Sequence, residues 1–339
     1  MTSAIRSSLR SALPVLIGLS VASLMIVVVT GMLLSMWYVP SSDPLRAADG
    51  TAQTIVTSVR QLPVGPYTDT IIASSLNPQI APAAKSEPVV SAAQSSIRVT
   101  IHNAPHGNTI RGIHLLMSDI LLALLTMLLA ALCVLRTYET DRSLWLRFVS
   151  LTLIALAGGW TGRILVDDVY AEISRRIMGH ELQAAPLGNA LASILGVQPG
   201  SVLLARTYSV HGFLLGALSL LLVTPNLRQI LSDASRPPIF STALLITIGV
   251  SFISLPEWGL RDAVRGLAGW ERVTPWWGIV SLRTWSQWLG SELAGYLMIP
   301  TALAFVSLPF WYRRFSRRAV TSLLSLIAIM VVVGFLFGN

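Results

Sequence analysis

The sequence predicts an all-α integral membrane protein of about seven transmembrane helices, four of them forming a bundle and three following it. Three observations carry that prediction. The 339 residues are 53% hydrophobic and only 12% charged, with a mean hydropathy of +0.66, well away from the composition of a soluble globular chain. Seven apolar runs approach the roughly 20 residues that a helix needs to cross a hydrocarbon core. The basic residues fall in short clusters between those runs, so the net charge of +8 is a topology signal and not a nucleic-acid surface.

The first span, about 13–38, follows Arg6 and Arg10. It is too long for the apolar core of a secretory signal and no small-x-small cleavage site follows it, so it is kept as a membrane helix. The remaining spans are expected at about 112–135, 145–166, 208–225, 239–256, 288–311 and 319–337. Arg136 with Arg142, Arg228 with Arg236, and the group Arg313, Arg314, Arg317 and Arg318 then fall on the same side as Arg6 and Arg10. By the positive-inside rule that side is the cytoplasm of a cell's inner membrane, with the C-terminus outside. The Pro237-Pro238 seam separates four spans from three. This gives an N-terminus with first span (1–38), an outer segment (39–110), the rest of the bundle (111–236) and a C-terminal three-helix region (237–339).

Three longer connections lie outside. Residues 39–110 are rich in Ser, Ala, Pro and Thr, with β-branched patches at Thr54–Val59 and Ile97–Ile101. They read either as a small cap holding a strand pair or as a flexible linker, and their length suits an extramembrane partner. Residues 167–207 carry amphipathic stretches at Tyr170–Ile177 and Leu187–Leu195, suited to lying along the membrane face. Residues 257–287 hold Trp258, Trp270, Trp276, Trp277 and Trp285, an interfacial aromatic belt.

Few residues can carry chemistry. The single cysteine, Cys133, lies in an apolar run and can form neither an internal disulfide nor a thiolate metal site. Of the five histidines, His102, His106, His114, His180 and His211, only His114 and His211 adjoin the start of a span. Helix parity places both at the same outer depth, as two axial ligands from facing helices require. Arg111 stands three residues before His114 and Arg206 five before His211. A cation beside an imidazole at a membrane rim suits a haem iron ligand with a propionate partner. A single histidine at a helix start is more often interfacial; the repeated Arg/His pairing is what favours the ligand reading. Asp119 and Glu292 are acids within spans. Asp119 reads as half of a buried pair, with Arg163 as one candidate partner, or as part of a proton path; Glu292 reaches headgroups. No phosphate-binding glycine loop, nucleophile elbow or zinc spacing is present, which leaves hydrolase and nucleotide chemistry unsupported. A transporter reading rests only on the span count and these acids, without paired Gly/Pro-interrupted segments in matching halves.

At this point the chain resembles the cytochrome b family of bc1 and b6f complexes. Gly107, Arg111 and His114 match a Gly-x-x-x-Arg-x-x-His pattern entering that family's second span, and Arg206 with His211 match an Arg-x-x-x-x-His pattern entering its fourth. Thr30, Gly31, Leu34, Met36 and Tyr38 match a Thr-Gly-x-x-Leu-x-Met-x-Tyr pattern in its first. The arrangement looks like the b6 and subunit IV pair written as one chain. The resemblance implies b-type haem with His114 and His211 on the iron, Arg111 and Arg206 toward the propionates, and Gly31, Gly158 and Gly159 where the macrocycle edge comes close. It also implies quinol or quinone, and a partner such as a c-type cytochrome or an iron-sulfur subunit, in a quinol:cytochrome c-type oxidoreductase complex.

Two departures bear on function. The family carries a second histidine fourteen residues after each first one, about 21 Å deeper; here those positions are Leu128 and Pro225, so one haem is expected rather than two. The family's Pro-Glu-Trp-Tyr quinol motif is split between Pro256-Glu257-Trp258-Gly259 and Pro275-Trp276-Trp277-Gly278. Glu257 and Glu271 are the candidate proton acceptors. The alternative to a working redox subunit is a degenerate cytochrome b that only anchors other subunits.

Overall fold

The computed structural model describes residues 3–42, 91–168, 202–232 and 291–336, together with shorter stretches of which 188–195 is the longest. The architecture is helical. Among the described residues four helices are long and apolar enough to cross a bilayer: Arg6–Ser35, Gly107–Leu135, Arg142–Ile164 and Leu203–Arg228. These are the four spans expected for the bundle. Helices also stand where the sixth and seventh spans were expected, at Ser291–Trp311 and Arg317–Leu336. The expected fifth span and the Pro237-Pro238 seam lie almost entirely outside the described residues.

Helix α1, Ser3–Ser35, starts about ten residues earlier than the hydropathy suggests. At 1.5 Å per residue it runs about 50 Å, so its first turns, with exposed Arg6 and Arg10, extend beyond the hydrocarbon. Its inward face is built from Ser20, Val21, Ala22, Ser23 and Leu24, all buried. Small side chains there let α1 approach a neighbour closely, the usual solution when packing and not water drives association. A short helix α2, Ala92–His102, follows. The strand patch expected at Ile97–Ile101 is therefore helical. Ser91 caps α2 by accepting from the Gln94 N–H, and the buried positions Ala93, Ser96 and Thr100 repeat every three to four residues. That period, set by packing, overrides the β-branched preference of Ile97, Val99 and Ile101.

Helix α3, Gly107–Leu135, packs along α1 for most of its length. It ends where Arg136 takes a left-handed conformation (φ 58°) and its N–H reaches the Leu132 and Cys133 carbonyls. Arg136 then pairs with Glu139 at 2.7 Å within the one-turn helix α4, Thr137–Thr140. Asp141 caps helix α5, Arg142–Ile164, by accepting from the Leu144 N–H. Beyond it lie α6 (Gly188–Leu195), α7 (Val202–Tyr208), a π-helical turn at Ser209–Leu215 and α8 (Gly216–Ser232). α6 falls within the expected amphipathic stretch at Leu187–Leu195. α1, α3, α5 and α8 touch in a closed ring, each against two others.

The main core joins all four: Val21 and Leu24, Leu121, Leu125, Leu128 and Leu132, Trp145, Phe148 and Leu151, and Val223. It continues into α9 (Ser291–Trp311) and α10 (Arg317–Leu336) through Leu308 and Val320. Trp145 is the joint between the two parts. Its ring is fully buried, stacks near Tyr138 and Phe305, and donates its indole N–H to the Phe305 carbonyl at 3.1 Å. Replacing Trp145 with Ala removes that donor and opens a large cavity, an expected loss of about 3–5 kcal/mol. A thermal melt in detergent reads it, and an unchanged midpoint would show that this joint does not hold the two parts together.

Candidate functional site

His114 projects from the second turn of α3, and His211 from the middle of the π-helical turn that precedes α8. Helix parity brings them to one level, and the bundle brings them face to face. Their ring centroids are 6.3 Å apart with the planes at 73°. Two imidazoles on opposite sides of one metal ion, with metal–nitrogen bonds of about 2 Å, have centroids about 6 Å apart. The spacing would let both rings reach one ion between them.

The hydrogen bonds fix which nitrogen is available. Thr30 on α1 spends its hydroxyl proton on its own helix, donating to the Ile26 carbonyl at 2.7 Å and leaning on that of Val27 at 3.1 Å. Its oxygen also lies 3.1 Å from His114 Nδ1, which is 3.0 Å from the Val27 carbonyl. A carbonyl only accepts, and this hydroxyl has no second proton, so Nδ1 carries the hydrogen and Nε2 keeps its lone pair. The same arrangement recurs on α5. Thr161 donates to the Ala157 carbonyl at 2.7 Å, with that of Gly158 at 3.1 Å, and its oxygen accepts from His211 Nδ1 at 3.0 Å. Both imidazoles thus hold the tautomer that ligates through Nε2.

A glycine follows each threonine. A Cβ at Gly31 would stand 3.1 Å from His114 Cε1, and one at Gly162 would stand 2.9 Å from His211 Cε1. Only hydrogen leaves each ring room to lie on the neighbouring helix. Of the glycines expected on α5, Gly158 meets no atom within 4 Å; it borders open space and supplies a carbonyl, while the contact with His211 belongs to Gly162, four residues along. Thr161 and Gly162 were missed by sequence reasoning. The signal was the Thr-Gly pair itself, present at 30–31 and again at 161–162, in each case one span before a histidine.

The two arginines differ. Arg111 is half-buried on α3, within electrostatic range of Asp168 and Arg163. Arg206 is exposed on α7, lining an open depression with Ser193, Ala205, Ser209 and Val210. A second buried cluster of Ala93, Trp160, Ile164, Leu165, Ala192 and Leu204, with Tyr38 and Tyr208 against it, packs at the histidine end of the bundle. Tyr38, beyond the end of α1, donates to the Leu165 carbonyl at 2.8 Å and lies 5.4 Å from the Tyr208 ring. Burial, then the neighbouring Asp167 and Tyr208, push its pKa well above the ordinary phenol value, so it stays a neutral donor.

Fourteen residues deeper, Leu128 is completely buried against the main core, and Pro225 lies inside α8. Leucine, valine and phenylalanine side chains fill the bundle around Leu128. Among the described residues no group of three or more His, Cys, Asp or Glu side chains could hold a metal ion, so no closed zinc-type site accompanies the histidine pair. His102 and His106 are exposed near the start of α3. His180, Glu257, Glu271 and the tryptophan-rich segment lie outside the described residues, as does the Glu292 side chain.

Comparison with known proteins bears on the same region. Residues 113–242 match the family described as cytochrome b (N-terminal)/b6/petB. That match covers His114, Thr161, Gly162 and His211. No curated protein sequence matches. Among solved structures, a chain of one titled "Hyperthermophilic respiratory Complex III" superposes with a TM-score of 0.63 at 15% identity, covering 96% of this chain and 83% of that one. At that identity the likeness is one of fold. The match over residues 113–242 and the shared fold make this chain similar to the cytochrome b family across its bundle.

Proposed function

We propose that the chain is the cytochrome b-like membrane subunit of a respiratory electron-transfer complex of the Complex III kind, with one b-type haem between His114 and His211. The observation that carries the reading is the matched pair of imidazoles, 6.3 Å apart, with each Nδ1 tied to a threonine on the adjoining helix. Both half-buried rings are held at Nδ1 in the same way, and in both the nitrogen left available is Nε2. A b-type haem bound there supplies a one-electron iron couple.

The chain's own residues have distinct parts. Arg111 and Arg206, near the outer ends of their helices, meet the propionates. Gly31, Gly158 and Gly159 leave room for the macrocycle edge, and the cluster against Tyr38 keeps water from the site. Glu257 and Glu271 are the candidate proton acceptors for a quinol. The site lies toward the outer face, with the N-terminus cytoplasmic and the C-terminus outside, in a cell's inner membrane. Electrons pass between quinol or quinone and an extracytoplasmic partner such as a c-type cytochrome or an iron-sulfur subunit.

The second reading is a degenerate cytochrome b that anchors other subunits without redox work. Its support is the pair Leu128 and Pro225, which stand where the family has its second ligand pair. Replacing His114 or His211 with Ala separates the two. The redox reading expects haem per purified chain to fall at least tenfold, with loss of the low-spin absorbance band and of electron transfer. The anchor reading expects an intact complex and unchanged turnover.

Two glycine substitutions sharpen the test. Gly162→Ala presses its methyl on the His211 ring, an overpacking cost of about 1–3 kcal/mol visible as a lower melting midpoint even without haem. Gly158→Ala meets no protein atom, so the haem-free protein keeps its stability while haem affinity drops. Equal affinity in Gly158→Ala and the parent would remove Gly158 from the cofactor face.

A further inference from the structure

The two threonines are supported identically although their surroundings differ, Val-Val-Val before Thr30 and Gly-Gly-Trp before Thr161. Each donates to the carbonyl four residues back at 2.7 Å, touches the one three back at 3.1 Å, and presents its oxygen to a histidine Nδ1 at 3.0 or 3.1 Å. A free hydroxyl rotates and can donate or accept; one whose proton is already held by its own helix can only accept. Both side chains are buried, Thr30 at 7% exposure and Thr161 at 0%, so no water replaces them in the low-dielectric interior.

An acceptor on Nδ1–H pulls that hydrogen outward and pushes electron density toward Nε2, which makes the imidazole a stronger donor to a bound metal. Stronger donation favours the more highly charged oxidation state. We propose that Thr30 and Thr161 are a matched pair of positioning residues that set the ligand strength and ring orientation of His114 and His211, holding down the reduction potential of the iron between them. The inference rests on the haem reading above and adds to it a role for two residues that do not touch the metal. On the His114 side the Val27 carbonyl remains as second acceptor. Losing the Thr30 hydroxyl therefore weakens the support without abolishing it.

Valine and serine divide the threonine side chain into its two functions. Thr30→Val and Thr161→Val keep the shape and remove the acceptor; Thr30→Ser and Thr161→Ser keep the acceptor and remove a methyl. The experiment is a redox titration of the purified full-length protein with its haem, alongside haem content and the ferric electron paramagnetic resonance spectrum. Each valine variant is expected to keep its haem and to show an approximately threefold to tenfold higher reduced-to-oxidised ratio at a fixed applied potential. The double variant should show roughly the product of the two effects, altered g-values should report freer rings, and both serine variants should match the parent. Valine variants with parental potential and spectrum would overturn the proposal, as would serine variants shifted as far as valine ones. If a valine variant loses haem, the serine variant decides: retention supports the proposal and loss overturns it. A parent protein that binds no haem instead sinks the cofactor reading on which the proposal stands.

Discussion

The structure depends on an imidazole N–H being given an acceptor inside a membrane. In hydrocarbon an unpaired polar group is expensive and no solvent relieves it. Two half-buried histidines would be a liability unless each ring had its N–H paired within the protein. α1 and α5 supply the pairing through Thr30 and Thr161, and that fixes which helices must adjoin which. α1 has to lie against α3, and α5 against the π turn carrying His211, closely enough for a threonine to reach a ring. The small inward face of α1 around Ser20 to Ser23 and the glycines at 31 and 162 are the conditions for that approach.

The bundle is accordingly built from two halves of the same design. In each, a helix bearing Thr-Gly supports a histidine on another helix, and the two rings meet across the middle. The halves are not equal in backbone. His114 sits in regular α-helix three residues after Arg111, whereas His211 sits in a π turn five residues after Arg206. The wider π turn changes the rotation of His211 relative to the helix that precedes it, and Arg206 stays exposed where Arg111 is half-buried. Such turns interrupt the regular ladder at a cost, and they persist where they serve a site.

Much of this was legible in the sequence. Apolar length and arginine clusters gave the four bundle spans, and parity alone placed His114 and His211 at one depth. What escaped was what depends on a partner. Thr161 and Gly162 look like ordinary helix residues until the neighbouring helix is known. The π turn leaves no periodic trace in so uniformly apolar a stretch. Ile97, Val99 and Ile101 looked like a strand because β-branching is visible in one dimension, while the burial of Ala93, Ser96 and Thr100 is not. Glu257 and Glu271 fall outside the described residues.

The closed leucine core around Leu128 has an energetic meaning for the membrane. Alkyl side chains pack around Leu128 where a second ligand would otherwise stand, and that part of the bundle offers a charge no polar station. Moving an elementary charge through such a slab means working for or against the membrane potential, about 2.3 kcal/mol per 100 mV. On the proposed reading of one haem between His114 and His211, electrons would exchange along one face, and turnover would draw no direct contribution from the voltage except through protons released or taken up beside it.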